Sequence, residues 1–180
     1  MSTDLQPLLD RNEHFAATGT HTGLTPIPRH QVLVITCMDG RVDPAHILGA
    51  ELGDVLVYRN GGGRVTDDAL QEIAFVATVT EHMFGDEAPP FEVAVIHHTG
   101  CGTGLLADSD FRAKLGDRLD GDGLAFDDAE AAGHAVIDPS VTLAADVARV
   151  RKSTAVPDRV TVSGHVYDVE TGLITTLEAG

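Results

Sequence analysis

Val32-Leu33-Val34-Ile35-Thr36-Cys37-Met38-Asp39-Gly40-Arg41 reads as a strand that ends in chemistry. Its first five residues are apolar or β-branched, the composition of a strand buried on both faces. Cys37, Asp39 and Arg41 then follow within five positions. In open α/β sheets, ligands and reactive groups gather at the C-terminal tips of the strands. A second stretch has the same design: Phe91-Glu92-Val93-Ala94-Val95-Ile96-His97-His98-Thr99-Gly100-Cys101-Gly102. This buried strand ends in His98 and Cys101, with a glycine on each side of the cysteine. The two tips together offer two thiolates and an imidazole, a zinc ligand set with one position left over.

The segments around these strands alternate in type. Residues 4–17 are expected to form a short helix with Leu5, Leu8, Leu9 and Phe15 available for packing. Residues 18–29, rich in Thr, Gly and Pro, lead into the first strand, so residues 1–30 read as an N-terminal helix and linker. Pro44 suits the first turn of a short helical piece. Residues 55–58 form a second strand, ending in Arg59-Asn60-Gly61-Gly62-Gly63, a loop able to bring its backbone close to something. Thr66, Asp67 and Asp68 cap and charge a helix over 69–84, which Gly85 stops.

After the His97-His98 strand, residues 105–119 read as an interrupted helix and 120–135 as an acidic, glycine-bearing excursion. Asp138-Pro139-Ser140 opens a helix through 151, with Val141, Ala144, Ala145 and Ala148 expected on one face. Strands at 160–164 and 173–176 are joined across a short turn and should pair antiparallel. Residues 1–180 therefore read as one α/β domain. A mainly parallel central sheet is flanked by helices and carries an antiparallel C-terminal edge strand.

Bulk properties narrow the function classes. The 180 residues are enough for one real core and too few for two comfortable ones. A net charge of −16, with Lys114 and Lys152 the only lysines, repels nucleic acid and anionic membrane, so neither is an expected partner. No run approaches the ~20 apolar residues of a membrane span. The first residues lack the basic and apolar regions of a signal peptide, so a cytoplasmic setting is expected, where cysteines serve as ligands or nucleophiles more often than in disulfides.

Cys37, His98 and Cys101 converge on one metal if their strands are neighbours. The alternatives are two buried small hydrophobes beside a satisfied histidine, a Cys37–Cys101 disulfide, or a closed structural zinc site with Asp39 as fourth ligand. His98 is favoured over His97 because adjacent strand residues face opposite ways and the two-residue spacer to Cys101 permits a tight turn. His97 reads as packing, or as support from behind. Asp39 and Arg41 can pair as carboxylate and guanidinium, either as a structural salt bridge or as a device that orients a hydroxide on zinc. The other histidines, His134 included, read as surface or packing. The three glycines lack the Lys and Ser/Thr of a phosphate loop, so no nucleotide cofactor site is expected.

These residues resemble the β-class carbonic anhydrases, especially their short, single-domain branch. That family's Cys-x-Asp-x-Arg stands here as Cys37-Met38-Asp39-Gly40-Arg41, and its His-x-x-Cys-Gly as His98-Thr99-Gly100-Cys101-Gly102. Arg59-Asn60-Gly61-Gly62-Gly63 is similar to its Arg-Asn-x-Gly-Gly loop, and the residues from Val162 to Gly172 to its closing hairpin. The resemblance runs over roughly residues 33–177. It implies Zn2+ held by Cys37, His98 and Cys101, a catalytic dyad of Asp39 and Arg41, and a homodimer or homotetramer. In some members the aspartate swings onto the metal, which makes Asp39 a possible fourth ligand in a closed state. Gly100 stands where short members often have Asp, Gly61 where Ala is usual, and the acidic segment before Asp138 has no counterpart.

The resemblance implies hydration of carbon dioxide to bicarbonate. The alternative within the same family is hydrolysis of carbonyl sulfide or carbon disulfide with the same ligands and dyad. A non-catalytic zinc-stabilised domain is the third reading, and Asp39 and Arg41 argue against it, since a structural site needs neither.

Overall fold

The computed structural model describes residues 4–178. A five-stranded sheet organises it: β1 (Val32–Cys37), β2 (Leu56–Asn60), β3 (Phe91–His98), β4 (Val160–Tyr167) and β5 (Ile174–Glu178), in the order β2-β1-β3-β4-β5. The first four strands run parallel and β5 pairs antiparallel with β4, as expected. From β1 the chain moves to β2 on one side, then crosses back to β3 on the other. The crevice between the tips of β1 and β3 is therefore the topological switch point of the sheet.

The continuous apolar reading of β1 and β3 has a direct cause. Leu33, Ile35, Val93 and Val95 pack on one face against α3 (Asp67–Phe84) and α6 (Pro139–Lys152), through Ala69, Ile73, Ala77, Leu143, Val147 and Val150. Val34, Thr36, Ala94 and Ile96, of the opposite parity, are buried as well. Ile73 is fully buried, and Ile73→Ala should cost ~2–5 kcal/mol through the cavity it leaves.

Local signals set the helix ends, as where Asp43 caps the short α2 (Pro44–Ile47) with Pro44 in its first turn. Thr66 accepts from Ala69 N at 3.2 Å, Asp67 and Asp68 sit in the first turn of α3, and Gly85 closes it. Asp138 accepts from Ser140 N at 2.9 Å and Pro139 occupies the first turn of α6. Arg149 of α6 pairs with Asp67, which ties the two helices together. The expected interruption before α4 (Ser109–Asp120) is a 3-10 turn over Gly102–Ala107, and the acidic excursion holds the short α5 (Asp128–Gly133).

Two expectations about packing are corrected. The buried face of α6 is Leu143, Asp146, Val147 and Val150, whereas Val141, Ala144 and Ala145 face outward and Ala148 is only half-buried. Burial of an acid, paired with Arg64, made the true core face look polar. Helix α1 (Gln6–Thr18) forms, yet Leu5, Leu8, Leu9 and Phe15 are all exposed, so the helix buries none of its own residues against the domain. Among the described residues no helix is long and apolar enough to cross a membrane.

Candidate metal centre

Beyond β1, Met38 N donates to the Asn60 carbonyl at 2.9 Å, which turns the chain over the tip of β2. Beyond β3, Thr99 N donates to the Tyr167 carbonyl at 3.0 Å, and Gly100, at φ +61°, reverses the backbone. That reversal brings Cys101 back beside His98, as the two-residue spacer predicted. The ligand atoms of Cys37, His98 and Cys101 all lie within 4.8 Å of one another, and all three residues are buried. No other such group of His, Cys, Asp or Glu occurs among the described residues.

The donor set fits a zinc ion. The two sulfurs are 3.9 Å apart. Two thiolates bound tetrahedrally at the usual zinc–sulfur length stand about 3.8 Å apart. His98 Nδ1 lies 2.9 Å from the Thr99 carbonyl, which can only accept, so Nδ1 carries the hydrogen and Nε2 the lone pair. That Nε2 is buried and has no hydrogen-bond partner of acceptable geometry. Left so, it costs ~1–3 kcal/mol, and a cation in front of it removes the deficit.

The two sulfurs divide a proton between them. The hydrogen bond from Cys37 pulls the Cys101 thiol well below its usual range against the effect of burial, with help from His98 and Thr103. The same bond, together with burial, pushes the Cys37 thiol far up. For His98, burial acts to lower the pKa, but the Cys101 sulfur, the Thr99 carbonyl and Asp39 outweigh it and raise it. A divalent cation entering this cluster would displace the one proton that the two sulfurs share.

Asp39 and Arg41 meet in a bidentate pair, Nε to Oδ1 at 3.0 Å and Nη2 to Oδ2 at 2.6 Å. Arg41 N also donates to Oδ1 at 2.9 Å, and Nη2 reaches the Gly100 carbonyl at 3.0 Å, bridging the two strand tips. The guanidinium holds the Asp39 carboxyl well below the usual range despite some burial. The carboxylate is thus engaged by Arg41 and stands outside the Cys37–His98–Cys101 group, so this is not the closed arrangement in which Asp39 would be a fourth ligand. Asp39 N–H points at the Cys37 sulfur, 3.4 Å away.

Reasoning from sequence missed several supports. Arg59 donates to the carbonyls of Cys37 (3.0 Å) and Asp39 (2.7 Å) and pairs with Asp43 (3.0 Å), holding the whole Cys37–Asp43 loop. Asn60 clamps both backbone groups of Arg64 at 2.8 Å, closing the glycine loop. Behind the site, buried Asp146 accepts from Arg64 (2.7 and 3.2 Å) and Val65 N (3.2 Å), with His97 Nε2 at 3.1 Å. His97 thus faces away from His98, its Nδ1 on Thr142, in the supporting place expected for it. An arginine at the C-terminal end of β2, and Leu143, Val147 and Val150 at helical spacing, were the available signals.

The site opens into a hollow of about 350 Å³ beside Cys37 and Asp39, walled by Met38, Gly61, Thr103, Leu106 and Phe111. A separate apolar hollow of about 330 Å³, between α3 and residues 26–28, lies away from these groups.

Comparison with known proteins places this geometry in a family. The carbonic anhydrase family profile matches residues 32–174. The chain is 36% identical over 162 residues to a carbon disulfide hydrolase of Acidithiobacillus thiooxidans, covering 81% of this chain and 77% of that one. It is 32% identical over 101 residues to beta-carbonic anhydrase 1 of Mycobacterium tuberculosis, covering 56% of this chain. That match spans only 57% of the mycobacterial protein's length. The carbonic anhydrase of Streptococcus mutans superposes with a TM-score of 0.79 at 28% identity, covering 99% of this chain and 100% of the other. An apo carbon disulfide hydrolase superposes with a TM-score of 0.60 at 26% identity, covering 95% and 88%.

Proposed function

The chain belongs to the β-class carbonic anhydrase family, and on the geometry of its strand tips we propose that it reversibly hydrates carbon dioxide to bicarbonate, with zinc as cofactor. The observation that carries this reading is the Cys37–His98–Cys101 group standing beside an Asp39 carboxylate that Arg41 keeps ionised. Cys37 and Cys101 as thiolates and His98 through Nε2 would hold the ion, leaving one position open. When bound, zinc supplies a Lewis acid able to bring the pKa of water from 15.7 towards ~7.

The chain's own groups do the rest. The two thiolates offset the charge of the ion and so work against its acidifying effect, which makes an acceptor beside it more useful. Asp39, held ionised, can only accept; it takes a hydrogen bond from the attacking water and orients it at the substrate carbon. Arg41 acts through Asp39, fixing its carboxylate from one side while Gly100 anchors the guanidinium from the other. Met38, Leu106 and Phe111 offer an apolar wall to a small, nearly apolar linear molecule.

A second reading, hydrolysis of carbonyl sulfide or carbon disulfide, is favoured by the likeness to a carbon disulfide hydrolase over 81% of this chain and by the bare backbone of Gly61 in the pocket wall. Two reduced, ligand-bearing cysteines suit a reducing compartment, so we read the protein as cytoplasmic. Helix α1, with no buried residue of its own, supports the homodimer or homotetramer that the family resemblance implies.

Side-by-side turnover of carbon dioxide, carbonyl sulfide and carbon disulfide by the zinc-loaded protein tests the choice. Bicarbonate production with little sulfide release is the expected result. Strong sulfide release with feeble carbon dioxide hydration would replace it with the hydrolase reading, and no turnover of any of the three would overturn both.

A further inference from the structure

Thr103 stands two residues past Cys101, in the turn Gly102–Ala107, and its hydroxyl lies 3.1 Å from the Cys101 sulfur. That hydroxyl makes no other hydrogen bond among the described residues. A thiolate can only accept, so the Thr103 proton points at sulfur whenever Cys101 is ionised.

The glycine loop runs beside this side chain. A Cβ on Gly61 would meet the Thr103 methyl at 3.5 Å, and one on Gly62 would press on the hydroxyl at 3.1 Å. A larger residue at either position would therefore meet one branch of the threonine or the other. Each sulfur faces a backbone N–H, of Asp39 for Cys37 and of Thr103 for Cys101, but among the described residues only Cys101 has a hydroxyl beside it as well. Cys101 is the sulfur whose neighbour can be changed by substituting a side chain.

We propose that Thr103 is a positioning residue for the metal centre: its hydroxyl donates to the Cys101 thiolate, aims that sulfur at the ion, and withdraws part of its charge so that the ion stays a strong Lewis acid. The inference rests on the zinc reading above and adds to it the group that sets one ligand's direction and donor strength.

The test compares Thr103→Val, which keeps the shape and removes the hydroxyl, with Thr103→Ser, which keeps the hydroxyl and removes the methyl. Zinc affinity is measured by competition with a chelator, and the cobalt-substituted proteins are read by their sulfur-to-cobalt absorption, with circular dichroism reporting the fold. Thr103→Val should lose about 10- to 100-fold in metal affinity and move the sulfur-to-cobalt band to longer wavelength, while Thr103→Ser stays within about threefold of wild type. A folded Thr103→Val that takes up no cobalt, beside a Thr103→Ser that does, gives the same support.

Wild-type affinity and spectrum in Thr103→Val would overturn the proposal. Equal losses in both variants would also overturn it, because the methyl rather than the hydroxyl would then be responsible. Failure of the zinc reading itself looks different: the wild type would bind neither metal, and the proposal would fall with it.

Discussion

A Cβ built on Gly63 would stand 2.8 Å from the backbone nitrogen of Cys37, so the glycine loop touches the tip of β1 where only a residue without a side chain fits. Gly63 also holds φ at +66°, a region that other residues enter at a cost. The sulfur of Cys37 is therefore placed by two neighbours, its own strand and this loop. Gly63→Ala should destabilise the protein by ~2–4 kcal/mol through backbone strain and overpacking, and weaken metal binding with it. Urea unfolding reads the first effect, and an unchanged midpoint would contradict the account.

The Asp39–Arg41 pair separates binding from turnover. Asp39→Ala leaves all three candidate ligands in place, so it should retain zinc and lose turnover by ~10²-fold or more. An unaffected rate would remove Asp39 from the dyad. Cys101→Ser should lose the metal, and full zinc occupancy in that variant would refute the ligand set.

Asp146 gives a stability prediction with a defined pH dependence. Burial acts to raise its pKa, but the close approach of His97 and the Arg64 guanidinium outweigh that and hold it below the usual range. A depressed folded-state pKa contributes stability above the unfolded carboxylate value of about 4, and that contribution is lost as pH falls through the lower folded value. Asp146→Asn should cost ~3–5 kcal/mol at pH 7, since it leaves a buried guanidinium without its counter-charge. The gap to wild type should begin to narrow below about pH 4 and close as pH falls through the lower folded value. Denaturant unfolding across pH 7 to 3 checks it, and a constant gap would contradict it.

Gly61 tests how pocket width selects the substrate. A methyl there would meet Thr103 at an ordinary 3.5 Å, and the position lacks a positive φ, so Gly61→Ala should fold normally. The added methyl narrows the hollow beside Cys37. Any turnover of the larger carbon disulfide should therefore fall more than carbon dioxide hydration, measured as the ratio of the two kcat/KM values. A ratio that stays fixed would show that Gly61 does not set selectivity.

The strand tips were legible because burial on both faces leaves an unmistakable run, Val32 to Thr36 and Val93 to Ile96, that stops abruptly at polar residues. The convergence of Cys37 with His98 and Cys101 needed one further fact, that β1 and β3 are neighbours, and the parallel register from Val32↔Glu92 to Thr36↔Ile96 supplies it. The buried face of α6 was misread because the partners that let Asp146 be buried, Arg64, Val65 N and His97, are all distant in sequence, Arg64 by 82 residues. The triple role of Arg59 was equally hidden, since two of its partners are backbone carbonyls, and carbonyls have no sequence signature. The exposure of Leu5, Leu8 and Leu9 shows the same limit: amphipathic spacing says that a helix needs a partner, not where the partner lies.

The most direct test is to strip the protein of metal and measure carbon dioxide hydration as zinc is titrated back. The account predicts that the rate rises linearly and saturates at one zinc per chain, and that Cys101→Ser shows no such rise. A rate indifferent to zinc, or a fully zinc-loaded wild type that leaves carbon dioxide untouched, would contradict it.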